Sequence, residues 1–144
     1  MQSELENALN QIPEIKKIFF CDIESICEHI FTTNTVGGYH SEYLHLEQKN
    51  INIEKMFSNK VYCGRYNGKY STFFPKSWNI ERVIDEIISA YQNKYKPLYQ
   101  IYGFPKIGKS VSGIYIAIET YDGKIKNAYP AFKQENKYYI KINV

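Results

Sequence analysis

The chain of 144 residues has few of the side chains that staple, anchor or coordinate. Cysteine occurs three times, at Cys21, Cys27 and Cys63, with no CxxC spacing. An odd number at irregular intervals reads as ordinary thiols ahead of a single disulfide. Histidine is equally scarce: His29, His40 and His45 do not cluster with the cysteines at ligand spacing, which argues against zinc. No apolar run approaches the ~18 residues of a membrane helix. The opening MQSELENALN is acidic and polar and is not expected to act as a signal or transit peptide. Without internal repeats, low-complexity tracts or a linker, residues 1–144 are expected to form one domain.

What is present is ordinary globular material with one excess. Hydrophobic residues make up 44% and charged residues 23%, which excludes wholesale disorder. A chain of this size can bury enough surface to fold without a metal or disulfide. Aromatics reach 16%, and 14 of them are tyrosines, which suit a sheet surface or a wet binding groove. The net charge of +3 is segregated: residues 1–30 carry −4, 31–54 carry −2, 55–110 carry +7 and 111–144 carry +2. A basic second half suits a polyanion-binding face, or a surface of solvated lysines.

Periodicity places helices first and strands last. Ser3 and Glu6 form a capping box before a short helix, and Ile23, Ile26, Cys27 and Ile30 mark a second, so residues 1–30 are expected to be helical. Gly37-Gly38 signals a loop. The clearest helix starts after the N-cap candidate Asn79, with Ile80, Val83, Ile84, Ile87, Ile88 and Tyr91 inward and Glu81, Arg82, Asp85 and Glu86 on the other face. From 110 to 144 the period changes to that of antiparallel strands. Ile114, Ile116 and Ile118 alternate with Tyr115, Ala117 and Glu119, and Asp122-Gly123 predicts a type I′ hairpin turn. The returning strand puts Ile125, Asn127 and Tyr129 on one face, with Pro130 limiting further pairing. A last strand aligns Tyr138, Ile140, Ile142 and Val144. This is an α+β order.

Few residues can carry chemistry. Histidine both donates and accepts protons near neutral pH. His29, beside a helix end, and His40, directly after Gly-Gly, form the pair that metal-free RNA cleavage uses, or else are surface or packed imidazoles. His45 shares a strand face with Tyr43 and is peripheral. In STFFPKSW, Phe73 and Phe74 demand burial and Pro75 stiffens the turn into the helix. Lys76 on that corner can hold a phosphate near the positive helix end, or is a loop lysine. Asn127 and Tyr129, two apart on one strand, can read a base edge and stack on a base or sugar, or pack in the core.

Taken in order, HIF at 29–31, GGYH at 37–40, TFFPKSW at 72–78 and SGIYIAIETYDGKIKNAYP at 112–130 resemble the bacterial EndoU endoribonucleases, found as toxin domains of contact-dependent and other polymorphic toxins. The resemblance implies N-terminal helices packed on a curved antiparallel β-sheet, the fold shared with barnase-like and RelE-like ribonucleases. It also implies cleavage of single-stranded RNA, commonly after uridylate and with tRNA among the targets. The reaction is transesterification to a 2′,3′-cyclic phosphate and needs no metal or other cofactor. By matching motif, His29 and His40 are the acid–base pair, Lys76 matches the family's lysine, and Tyr129 is the tyrosine of an [ST]-x-Y motif that contacts uracil or ribose. Asn127 stands where that motif has Ser or Thr. A delivered toxin acting in the target-cell cytoplasm, held by an acidic immunity protein and without a membrane partner, completes the implied picture.

The same residues suit a non-catalytic RNA- or protein-binding module, in which tyrosine-rich strands and the basic half hold single strands without cutting. An immunity protein fits less well, because only the first 54 residues are acidic.

Overall fold

In the computed structural model, residues 52–66, 69–75, 77–78, 80–101 and 105–142 are described. The expected helices of residues 1–30, together with Cys21, Cys27, Gly37-Gly38 and His45, lie outside them. Among the described residues, two antiparallel sheets flank one helix in an α+β arrangement. No described helix is long and apolar enough to cross a membrane.

The first sheet has the order β1 (Asn52–Met56), β2 (Tyr62–Tyr66), β3 (Lys69–Phe73). Between β1 and β2 the chain turns through Lys60 at φ 75°, with Asn59 Oδ1 accepting the Val61 N–H at 3.2 Å. Tyr62 and Phe73, opposite each other in the β2–β3 ladder, are fully buried with rings 5.1 Å apart and nearly parallel. On the other face of β2, the Cys63 thiol is buried and free, and burial pushes its pKa up, which makes it a poor nucleophile.

Phe74, like Phe73, is buried as expected and stacks on the buried Trp78 at 5.8 Å, with the Trp78 backbone N–H closing the turn on the Pro75 carbonyl at 3.0 Å. The helix α1 (Ile80–Tyr91) follows. Its Val83, Ile84, Ile87 and Ala90 pack with Val61, Phe74 and Trp78 against Ile116, Ile118, Ile125 and Ala128 of the second sheet. Each large side chain so buried contributes about 1.5–3 kcal/mol. Helix and sheet approach closely where α1 ends: a Cβ on Gly108 would lie 1.9 Å from the Ala90 carbonyl oxygen.

Glu86 departs from the expected solvent face and is only 4% exposed. Its carboxylate accepts the Ser112 N–H at 3.1 Å and the Ser112 hydroxyl at 2.7 Å, and lies 3.9 Å from Arg82 Nε. These bonds offset the cost of burying a charge and tie α1 to a turn of the second sheet.

The second sheet comprises β4 (Lys94–Pro97), β5 (Lys106–Lys109), β6 (Tyr115–Tyr121), β7 (Lys124–Pro130) and β8 (Tyr139–Lys141), in the order β7-β6-β5-β4-β8. Asp122 (φ 53°) and Gly123 (φ 76°) adopt the type I′ geometry that their identities predict, and Tyr91 donates its hydroxyl to the Gly123 carbonyl at 2.7 Å. The alternation in β6 also matches: Ile116 and Ile118 face α1, while Tyr115 and Ala117 face away.

Two strand readings need correction. Thr120 pairs with Ile125 but Glu119 with Asn127, so Lys126 is an extra, bulged residue. Ile125 faces α1, and the bulge turns Asn127 and Tyr129 to the opposite face, so the three do not share one side. In the last strand the buried residue is Tyr139, while Ile140 and Ile142 are exposed and Tyr138 sits in a short 3₁₀ turn (Asn136–Tyr138). Tyr139 wins that position because its ring stacks on Tyr115 at 3.9 Å and its hydroxyl donates to the Lys133 carbonyl. Val144 lies outside the described residues.

Candidate functional site

The face of the second sheet turned away from α1 is built by register. Tyr129 of β7 stands opposite Ala117 of β6, Ala117 opposite Ile107 of β5, and Ile107 opposite Tyr95 of β4. Small Ala117 leaves a depression between Tyr129 and Ile107. Residues 99–101, which follow β4, and 131–133, which follow β7, wall it into a cavity of about 440 Å³. That volume lies within the range of small-ligand pockets. Its lining is mostly apolar, with the Tyr129 and Tyr99 rings, Phe132 and the half-buried Lys133 contributing aromatic and cationic character.

One wall is fixed by Gln134, a buried amide that uses all four of its hydrogen-bonding positions. Nε2 donates to the carbonyls of Tyr115 (2.9 Å) and Ala131 (2.7 Å). Oε1 accepts the Tyr115 N–H and the Asn59 amide, both at 3.0 Å. The segment carrying Phe132 and Lys133 is thereby pinned to β6 and to the β1–β2 turn. A second network holds the opposite side. The Tyr139 hydroxyl gives its proton to the Lys133 carbonyl, so Tyr99 is the donor in the 2.8 Å bond between the two phenols. The Lys133 ammonium lies 4.6 Å from the Tyr138 ring centroid and 5.7 Å from that of Tyr99.

The Tyr129 phenol is pushed up to about 12, first by burial, then by the nearby Glu119 carboxylate and by Tyr99. It is therefore neutral at physiological pH and able to donate and accept hydrogen bonds. Asn127, 7% exposed, stands opposite Glu119 and donates to its carboxylate at 3.2 Å, while its own Oδ1 accepts the Ala128 N–H at 2.9 Å.

The site residues expected from sequence divide in two. Asn127 and Tyr129 share the cavity face of β7, where the bulge places them. His29, His40 and Lys76 lie outside the described residues. The approach to Lys76 is described: the hydroxyl of Thr72 in β3 donates to the Pro130 carbonyl at 2.5 Å, bringing the end of the first sheet against the residue after Tyr129. Glu119, Tyr99, Phe132, Lys133 and Gln134 were not singled out in the sequence. A signal existed for Phe132-Lys133, an aromatic and a cation one residue beyond the AYP motif. None marks Gln134, whose burial follows from contacts distant in sequence.

A family model described as bacterial EndoU nuclease matches residues 15–131. A curated relative from Bacillus cereus, described as a toxin, is 30% identical over 109 residues, 65% of this chain and 19% of that protein. The chain thus spans about a fifth of that relative's length. No solved structure matches.

Proposed function

The chain belongs to the bacterial EndoU nuclease family, and from that premise we propose that it is a metal-independent endoribonuclease acting on single-stranded RNA. One histidine of the pair His29 and His40 removes the ribose 2′-OH proton. The freed oxygen attacks the adjacent phosphorus, and the other histidine protonates the departing 5′-oxygen. The products are a 2′,3′-cyclic phosphate and a 5′-hydroxyl. Lys76 offsets the charge that develops on the phosphorane.

The observation that carries the reading is Tyr129, held neutral on the wall of a cavity beside a cation, on the AYP segment whose resemblance to the family motif supports a substrate-contacting role. Its ring offers a face to uracil or ribose and its hydroxyl a hydrogen bond, which supports uridine preference and the single-stranded loops of tRNA as substrates. Asn127 acts through Glu119, because its amide is buried and already engaged. The relative described as a toxin supports a delivered toxin domain that works in the cytoplasm of a target cell, with an acidic immunity protein covering the basic half.

The test is RNA incubation in EDTA with the wild type, His29→Ala and His40→Ala. Cleavage by the wild type alone is expected. Equal cleavage by all three removes the histidine mechanism, and RNA binding without any cleavage leaves a non-catalytic RNA module.

A further inference from the structure

Beside the cavity lies a pair of aromatic rings that folding leaves in water. Tyr70 of β3 and Phe132, which follows β7, stack with centroids 5.7 Å apart and planes inclined by 14°, yet remain 41% and 46% exposed. One belongs to the first sheet and the other to the segment leaving the second, so the stack spans the junction that the Thr72–Pro130 bond closes. Phe132 also lines the cavity that Tyr129 walls. One cation borders the stack directly and a second stands on the cavity side. Arg65, opposite Tyr70 in the β2–β3 ladder, places its guanidinium 5.6 Å over the Tyr70 ring, while the ammonium of Lys133, which lines the same cavity as Phe132, lies over the Tyr138 and Tyr99 rings. Glu54 lies 3.0 Å from Arg65 Nε and fixes one side of the guanidinium.

An exposed π surface with a guanidinium on one ring and an ammonium on the adjoining cavity wall has the chemistry of a single-strand stacking platform. Every base has a π-face, so stacking tolerates sequence, and the nearby cations supply charge for the phosphates. We infer that the Tyr70–Phe132 stack is a second nucleotide subsite, which holds the base next to the one at Tyr129. It makes the enzyme a reader of strands rather than of isolated nucleotides. The inference rests on the nuclease reading above and extends it. It assigns no preference at the second base, because an aromatic face supplies area without a hydrogen-bond pattern.

The test is binding of a fluorescent, 2′-O-methylated RNA hexamer with one central uridine, compared with the same strand made abasic at both neighbours of that uridine. Phe132→Ala and Tyr70→Ala are expected to weaken binding of the full strand about tenfold, an effect of the size of one lost stack. On the abasic strand Tyr70→Ala should match the wild type and Phe132→Ala should lose less than on the full strand, and Phe132→Trp should bind the full strand at least as well as the wild type. Thermal melts confirm that each variant is folded; a variant that fails to fold is replaced in the comparison by Phe132→Leu, which keeps apolar volume and removes the ring. Equal affinity of wild type and folded variants for the full strand overturns the subsite, as does an equal loss on both strands. Because the strand resists transesterification, the readout is separate from catalysis. A base-dependent loss in a protein that never cleaves RNA keeps the platform and sinks the nuclease, whereas cleavage without that loss does the reverse.

Discussion

Glu119 stands directly opposite Asn127 across the β6–β7 ladder, with its carboxylate 3.2 Å from the Asn127 amide and near enough to Tyr129 to raise the phenol's pKa. A single bulged residue, Lys126, creates this relationship. Without it the Asp122-Gly123 turn would set Lys126 opposite Glu119 and turn Asn127 toward α1.

Replacing Glu119 by Gln removes a negative charge beside Tyr129 and leaves a side chain of the same shape. The phenol should then titrate below its present value of about 12, read as the phenolate band in an ultraviolet pH titration. Tyr129→Phe keeps the ring and loses the hydroxyl. We expect a loss of roughly tenfold or more in kcat/KM for RNA, with stability changed by less than about 1 kcal/mol.

At Gly108 the constraint is space. Gly108→Ala would put a methyl group 1.9 Å from the Ala90 carbonyl oxygen, where only backbone can yield. The C-terminal turn of α1 must lift from β5, at a cost of about 3 kcal/mol or more. Urea denaturation should show the midpoint falling with little change in slope.

Gln134→Leu keeps the volume and deletes four hydrogen bonds. It leaves the Tyr115 and Ala131 carbonyls without the amide's donors and strips the Tyr115 N–H of its acceptor. A loss of about 2–4 kcal/mol is expected. Since Gln134 pins the wall that carries Phe132 and Lys133, amide exchange at Tyr115 should accelerate and RNA binding should weaken below the melting temperature.

The tyrosines set the alkaline limit. Tyr70 and Tyr129 are pushed up to about 12, and burial raises Tyr99, Tyr115 and Tyr139 as well. In the unfolded chain these phenols release protons near pH 10, while the folded chain still holds them. The folded state then binds more protons, so stability falls as pH rises from about 10 to 12. Below pH 9 the tyrosines contribute no slope. Denaturation midpoints measured at pH 8, 10 and 11 should show a plateau followed by a decline.

Local chemistry made part of this legible. The helix beginning after Asn79 announces itself by six apolar residues at helical spacing, and the β6–β7 hairpin by alternation and a turn that only positive φ satisfies. Periodicity does not predict the burial of Glu86, because it reports which helix face is apolar, while the burial comes with the bond to Ser112 in another element. The strands of the first sheet carry no clean alternation: in YCGRY a glycine and an arginine interrupt the pattern, and the buried Tyr62–Phe73 stack forms only after pairing. The motif singles out Tyr129 but not its neighbours Glu119 and Tyr99, because a bulge and a ladder of four strands decide what lies beside it.

The most direct test is phosphorus NMR of the products when the wild-type protein, in EDTA, acts on a uridine-containing dinucleotide. Transesterification predicts a 2′,3′-cyclic phosphate resonance as the first product, absent with His29→Ala and with His40→Ala. A linear monophosphate as the first product, or a cyclic phosphate undiminished in both variants, contradicts it.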